Sequence, residues 1–160
     1  MRKIITTSLI LMLTGFAAVV AQPRQLNSFD ELLKAVKTGS HVKMVFYYAK
    51  CELISDNEMQ EKVPDAIGGM SLDVFEYFAQ NSVRNKEAFL VASESKLIQN
   101  PKGDDYVYNY VKVKLSENGK VKISARYLNA QTMNVQMDEN FFGEINDGKN
   151  DGGIFLFVND

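Results

Sequence analysis

Asn118-Gly119 stands between two runs of alternating side chains, and that arrangement constrains the fold more than any other feature of the chain. Asn-Gly supplies the positive backbone angles of a tight turn between antiparallel strands. Within the runs 111–115 and 121–127, every second residue is apolar or aromatic. Pairing them through the turn Ser116-Glu117-Asn118-Gly119 puts Val111, Val113, Leu115, Val121, Ile123, Ala125 and Tyr127 on one face and the lysines on the other.

Further segments rich in Val, Ile, Phe and Tyr extend this pattern. Residues 42–48, 70–78, 88–98, 106–115, 120–128, 132–137 and 154–158 are expected as strands, with turn chemistry at 100–105 and 147–153. Such short links favour antiparallel neighbours, because parallel ones need crossovers of about a dozen residues or more. One helix is expected ahead of the strands. Ser28 and Glu31 form a capping box, Phe29, Leu32, Leu33 and Val36 share a helical face, and Gly39 suits the left-handed C-terminal position. The expected fold is mainly β (α+β), an antiparallel up-and-down meander, curled or partly closed into a barrel, with the amphipathic helix packed on it or capping an open end. The charged stretch 56–64 is expected as either helix or mobile loop.

The N-terminus indicates export. Arg2 and Lys3 precede an apolar stretch from Ile4 to Val20 that ends in small residues, so residues 1–21 form a signal peptide cleaved after Ala21. The mature chain, 22–160, has a length that suits a single domain. Cleavage removes two of 18 basic residues and none of the 20 acidic ones, leaving 16 against 20 and a net charge of −4. That balance disfavours nucleic acid as a partner, and no membrane-spanning segment is expected after cleavage. With a single cysteine, no internal disulfide can form. Cys51 is expected either as a buried, slowly reacting thiol in a monomer or as the link of a disulfide dimer.

Catalytic sets are sparse in the sequence. His41 is the single imidazole, and along an extended strand it would lie ~33 Å from Cys51, so only a sharp bend would make a thiol-imidazole pair. Asp104-Asp105, Asp138-Glu139 with Glu144, and Asp73 with Glu76 provide carboxylate pairs for a two-acid hydrolase. The loop 146–153 carries oxygen ligands and glycines, but Lys149 and the missing final glutamate point to a hairpin connection rather than a calcium site. Gly68-Gly69 lacks the surroundings of a phosphate-binding loop. No cofactor or metal is expected. The candidate ligand-binding residues are Tyr106, Tyr108 and Tyr110, which alternate onto one face of a strand whose other face begins with Val107 and Asn109. They either line a groove or pocket or pack across strands beneath the helix.

The order of features from the Phe29-Asp30-Glu31-Leu32-Leu33 helix, through the strand leading to Lys50-Cys51, to Ile67-Gly68-Gly69-Met70 and Asp73-Val74-Phe75-Glu76-Tyr77-Phe78, resembles the VirK-type family of small exported bacterial proteins. Ser93-Glu94-Ser95-Lys96-Leu97, Tyr110-Val111-Lys112-Val113 and Phe155-Leu156-Phe157 extend the resemblance over nearly the whole mature chain. It implies export, a single domain and association with virulence loci, and supplies no catalytic residues. The expected function is that of a secreted or periplasmic, non-catalytic binding protein for a small apolar ligand or a protein partner. The alternatives are a two-carboxylate hydrolase or carbohydrate-active enzyme, and an assembly helper for other exported proteins.

Overall fold

A computed structural model of the chain describes residues 22–55 and 58–159, so residues 1–21, expected as a signal peptide, and Asp56-Asn57 lie outside the described residues. Ser28 opens the helix α1 (Phe29–Lys37) as expected, its hydroxyl accepting from Glu31 N at 3.2 Å. The Glu31 carboxylate reaches back to Asn27 N at 2.9 Å. Phe29, Leu32, Ala35 and Val36 are buried, so Ala35 takes the place expected for the partly buried Leu33. Gly39 follows at φ +80°.

Before the helix lies the short strand β1 (Arg24–Leu26), and after it β2 (Val42–Tyr47), a 3-10 turn at Tyr48–Lys50, β3 (Glu52–Ser55), β4 (Glu58–Met59) and β5 (Ile67–Ser71). Then come β6 (Phe75–Phe78), β7 (Phe89–Gln99), β8 (Tyr106–Ser116), β9 (Lys120–Asn129), β10 (Val135–Glu144) and β11 (Ile154–Val158). The meander from β6 to β10 is antiparallel throughout. At its centre the Asn-Gly hairpin pairs Leu115 with Val121 and Val113 with Ile123, with Gly119 at φ +82°.

The expectation of a curled or partly closed barrel is overturned. The strands form two open sheets, a small one ordered β1-β11-β2-β5 and a large one ordered β4-β3-β10-β9-β8-β7-β6. A barrel needs its first and last strands to pair, whereas here the chain changes sheet four times. Tyr48–Lys50 carries it from β2 to β3, residues 60–66 from β4 to β5, residues 72–74 from β5 to β6, and residues 145–153 from β10 to β11. Each crossing spends a connection that a meander would use to add the next neighbour. The two sheets instead cover each other's apolar faces: Val42, Met44, Phe46, Ile154 and Leu156 share one core cluster with Leu53, Leu90, Val113, Ile123, Phe141 and the buried face of α1.

Several boundaries change for the same reason. Residues 70–78 are two strands in different sheets, separated where Leu72 turns inward at 2% exposure and donates to Val42 O. The strand expected at 132–137 runs instead over Val135–Glu144, and the loop 147–153 connects two sheets rather than closing a hairpin. Tyr48 leaves β2 for the 3-10 turn, and Glu58–Met59 pairs with Ile54 and Ser55 as a two-residue strand within a stretch expected as helix or loop.

Candidate ligand-binding surface

The register of the large sheet assigns every side chain to a face. On β8, Val107, Val111, Val113 and Leu115 are buried, so Tyr106, Tyr108, Tyr110, Lys112 and Lys114 project from the opposite, outer face, away from the helix. Leu97 on β7 and Leu128 on β9 sit directly opposite Tyr108, and Val135 on β10 sits opposite Leu128. These residues form an apolar row across four strands. Tyr106, Leu97 and Val135 are 60%, 55% and 57% exposed, and Met133 in the following turn is open as well. The three tyrosines therefore do not pack beneath the helix.

Toward the hairpin end the same face becomes polar and then basic. Tyr110 stands opposite Ser95 and Arg126, and Arg126 Nε lies 3.1 Å from Asp138, close enough for an ion pair although misaligned for a hydrogen bond. Lys112 stands between Ser93 and Ser124, and the Ser124 hydroxyl donates to Asn140 at 2.8 Å. Lys114 and Lys122 face each other directly, the first over the Phe89 ring at 4.3 Å and the second over Phe142 at 5.4 Å. A broad trough of about 940 Å³ opens here between Lys114, Lys122, Phe142, Glu52 and Glu144. A smaller cavity of about 280 Å³ lies at the other end, against Tyr127, Met137 and Gln136. Neither is lined by Tyr106, Tyr108 or Tyr110.

The other sequence candidates are dispersed. His41 and Cys51 lie beyond opposite ends of β2, and His41 pairs with Asp73 at 3.2 Å on the surface. Cys51 is a buried free thiol, 6% exposed, its Sγ donating to Tyr47 O at 3.7 Å, and burial pushes its pKa up. Asp138 and Glu144 project from the outer face while Glu139, opposite the buried Ala125, projects inward. Asp105 is held below the usual carboxylate range by hydrogen bonds from Asn100 and Gln136, and Asp147 by the backbone N–H groups of Asn150 and Lys149. A general acid needs a shift in the opposite direction.

The loop 146–153 uses its oxygens internally. Asn146 Oδ1 accepts from Gly148 N, Asp147 Oδ1 from Lys149 N and Asn150 N, and Asn150 Oδ1 from Asp147 N and Gly152 N. Among the described residues there is no group of three His, Cys, Asp or Glu side chains placed to hold a metal ion.

Two features escaped the sequence analysis. Phe155 lies 5.3 Å from Tyr47 and 6.4 Å from Phe157, forming an aromatic cluster on the outer face of the small sheet. The alternation of 154–158 was visible, but its neighbour β2 was not. The second is Tyr48, whose ring lies between the sheets 4.4 Å from Phe141 and covers Gly68, where an added Cβ would meet its hydroxyl at 2.6 Å. Burial, then repulsion from Tyr127, Cys51 and Glu139, pushes its pKa from 10.0 up to about 12. The folded chain thus holds this proton more tightly than the unfolded chain. The stability so gained is present below pH 10 and is lost as the pH rises toward 12. It amounts to a few kcal/mol at most, reduced further by solvent screening. Urea unfolding across that window should show an alkaline loss that Tyr48→Phe removes; an equal loss in both proteins would refute the assignment.

Fold and surface together define a small two-sheet protein with an open outer face on its large sheet. The VirK protein family model matches residues 25–133, more than half of the chain, and the chain belongs to the VirK family. The crystal structure of a VirK family protein from Legionella pneumophila has a similar fold, with 17% identity, a TM-score of 0.63, and coverage of 83% of this chain and 98% of that one. A comparison with curated proteins found no match. As a VirK family member the protein is exported, secreted or periplasmic. No helix among the described residues is long and apolar enough to cross a membrane.

Proposed function

We propose that this exported protein works by binding another protein on the outer face of its large sheet, with Tyr106, Tyr108 and Tyr110 as the contact residues. The observation that carries this reading is the outward row Leu97, Tyr108, Leu128 and Val135, exposed at its two ends and half-buried in its middle. Apolar side chains aligned across four strands gain nothing for the fold from facing water, whereas tyrosines offer a partner large rigid area and a hydroxyl at small entropic cost. An open face suits a protein partner better than a small apolar ligand, which would want enclosure on several sides.

Because Tyr108 points away from the core, Tyr108→Ala should cost the fold only about 1 kcal/mol of cross-strand packing. If the ring were part of the core, the loss would be about 3 to 5 kcal/mol. Binding competence can be read with the uncharged apolar dye N-phenylnaphthylamine, titrated into the ¹⁵N-labelled mature chain. Resonances of Leu97, Tyr106, Tyr108, Leu128 and Val135 should shift together, and the shifts should disappear in Tyr108→Ala. Shifts that avoid this row, or that survive the substitution, would overturn the proposal.

A further inference from the structure

We infer that the partner presents an acidic segment, whose carboxylates sit on Lys112, Lys114 and Lys122 while adjoining apolar residues reach the tyrosine row. The inference rests on the binding face proposed above and specifies the chemistry of its occupant. Lys114 and Lys122 occupy directly opposed positions on β8 and β9, and Lys112 is next on the same face. Like charges placed opposite each other destabilise a sheet. Their immediate neighbours on that face are Val91, Ser93, Ser116, Ser124, Phe142, Tyr110 and Lys120, with no carboxylate among them. Among the described residues the ion pairs are formed elsewhere, by His41, Lys50, Lys96 and Arg126, and none joins these three lysines to a carboxylate.

Glu52, Glu87 and Glu144 line the trough beside Lys114 and Lys122, yet none of them forms an ion pair with the three lysines among the described residues. The arrangement leaves three ammonium groups clustered between those carboxylates without a partner of their own, and an anionic segment reaching them would supply it. Lys114 lies eight residues along β8 from Tyr106, or ~27 Å in an extended strand, which an extended segment of about eight residues spans. The apolar end of the face carries carboxylates of its own, Asp104 and Asp105 in the adjoining turn and Asp138 beside Arg126. An anionic bilayer lying flat on the face would meet those charges, whereas a segment acidic at one end and apolar at the other would avoid them.

The test uses the mature chain and a fluorescent ten-residue peptide with four glutamates at one end and leucine and phenylalanine at the other. Anisotropy should report binding that weakens with added salt, and replacing Lys112, Lys114 and Lys122 together by serine should weaken it roughly tenfold or more. The same peptide with glutamine for glutamate should bind poorly, and Lys34→Ser on the helix should change nothing. The triple variant should melt no lower than the parent, since it removes opposed charges. Equal binding of the glutamate and glutamine peptides, still lost in Tyr108→Ala, would overturn the acidic partner and leave the apolar docking face standing. Lysine-dependent binding to phosphatidylglycerol vesicles without peptide binding would assign the lysines to a membrane instead. Binding to neither probe would overturn the inference, and the dye titration would then decide the docking face by itself.

Discussion

Replacing Phe141 by alanine is expected to lower the free energy of unfolding by about 3 to 5 kcal/mol. Phe141 is 2% exposed on the inner face of β10, paired with Leu53 of β3 and with Ile123 of β9. Its ring contacts Tyr48 at 4.4 Å, and Tyr48 in turn covers Gly68 of the small sheet. Truncation would open a cavity where the two sheets meet, at a place held from three sides that cannot easily collapse. Against a total stability of about 5 to 15 kcal/mol for a domain, that loss would leave a large unfolded population. Phe142, its neighbour in sequence, points to the outer face under Lys122, and Phe142→Ala should cost only about 1 kcal/mol. Equal losses for the two variants in chemical denaturation would contradict the assignment of faces along β10.

The second large effect is expected at Gly152, where the chain crosses from β10 to β11. A Cβ there would lie 2.7 Å from Glu144 O, 3.0 Å from Ile145 O and 3.1 Å from Asn146 N. All three atoms are backbone, so no side chain can swing aside. Gly152→Ala should therefore cost about 3 kcal/mol, at the upper end for overpacking. It should also disturb Asn146, whose side-chain amide donates to Gly152 O at 3.0 Å, and loosen the loop that seats β11. Gly148 in the same loop separates steric from conformational causes. Its φ is +79° with nothing within 4 Å of an added Cβ, so Gly148→Ala should cost only about 1 to 2 kcal/mol from the left-handed backbone. Thermal melts and amide exchange at Ile154–Val158 would check both. Faster exchange in the Gly148 variant than in the Gly152 variant would contradict the packing described.

These expectations bear on function because the outer face is a by-product of how the inner one is filled. Phe141 and Ile123 hold β9 and β10 flat against the small sheet, and the same strands present Leu128, Val135 and Lys122 outward. Substitutions inside should abolish binding by unfolding the platform. Those at Tyr108 or the lysines should act on binding with the platform intact.

What the sequence determined by itself is local. Ser28 and Glu31 capped a helix where expected, and Asn118-Gly119 set the register of β8 on β9, because caps and tight turns are made by residues a few positions apart. The alternation at 106–115 also separated the tyrosines and lysines from the valines, since a strand has only two faces. Which face met the core was not legible, because burial comes from elements far along the chain. Pairing of β1 with β11 joins Arg24 to Val158, and pairing of β10 with β3 joins Phe141 to Leu53. Pairing of β5 with β2 and of β6 with β7 split 70–78 between two sheets, and such pairings across the chain opened what was expected to curl into a barrel and placed Tyr48 between the layers. Alternation tells a strand which side chains go together, and only its neighbours decide whether they face protein or water.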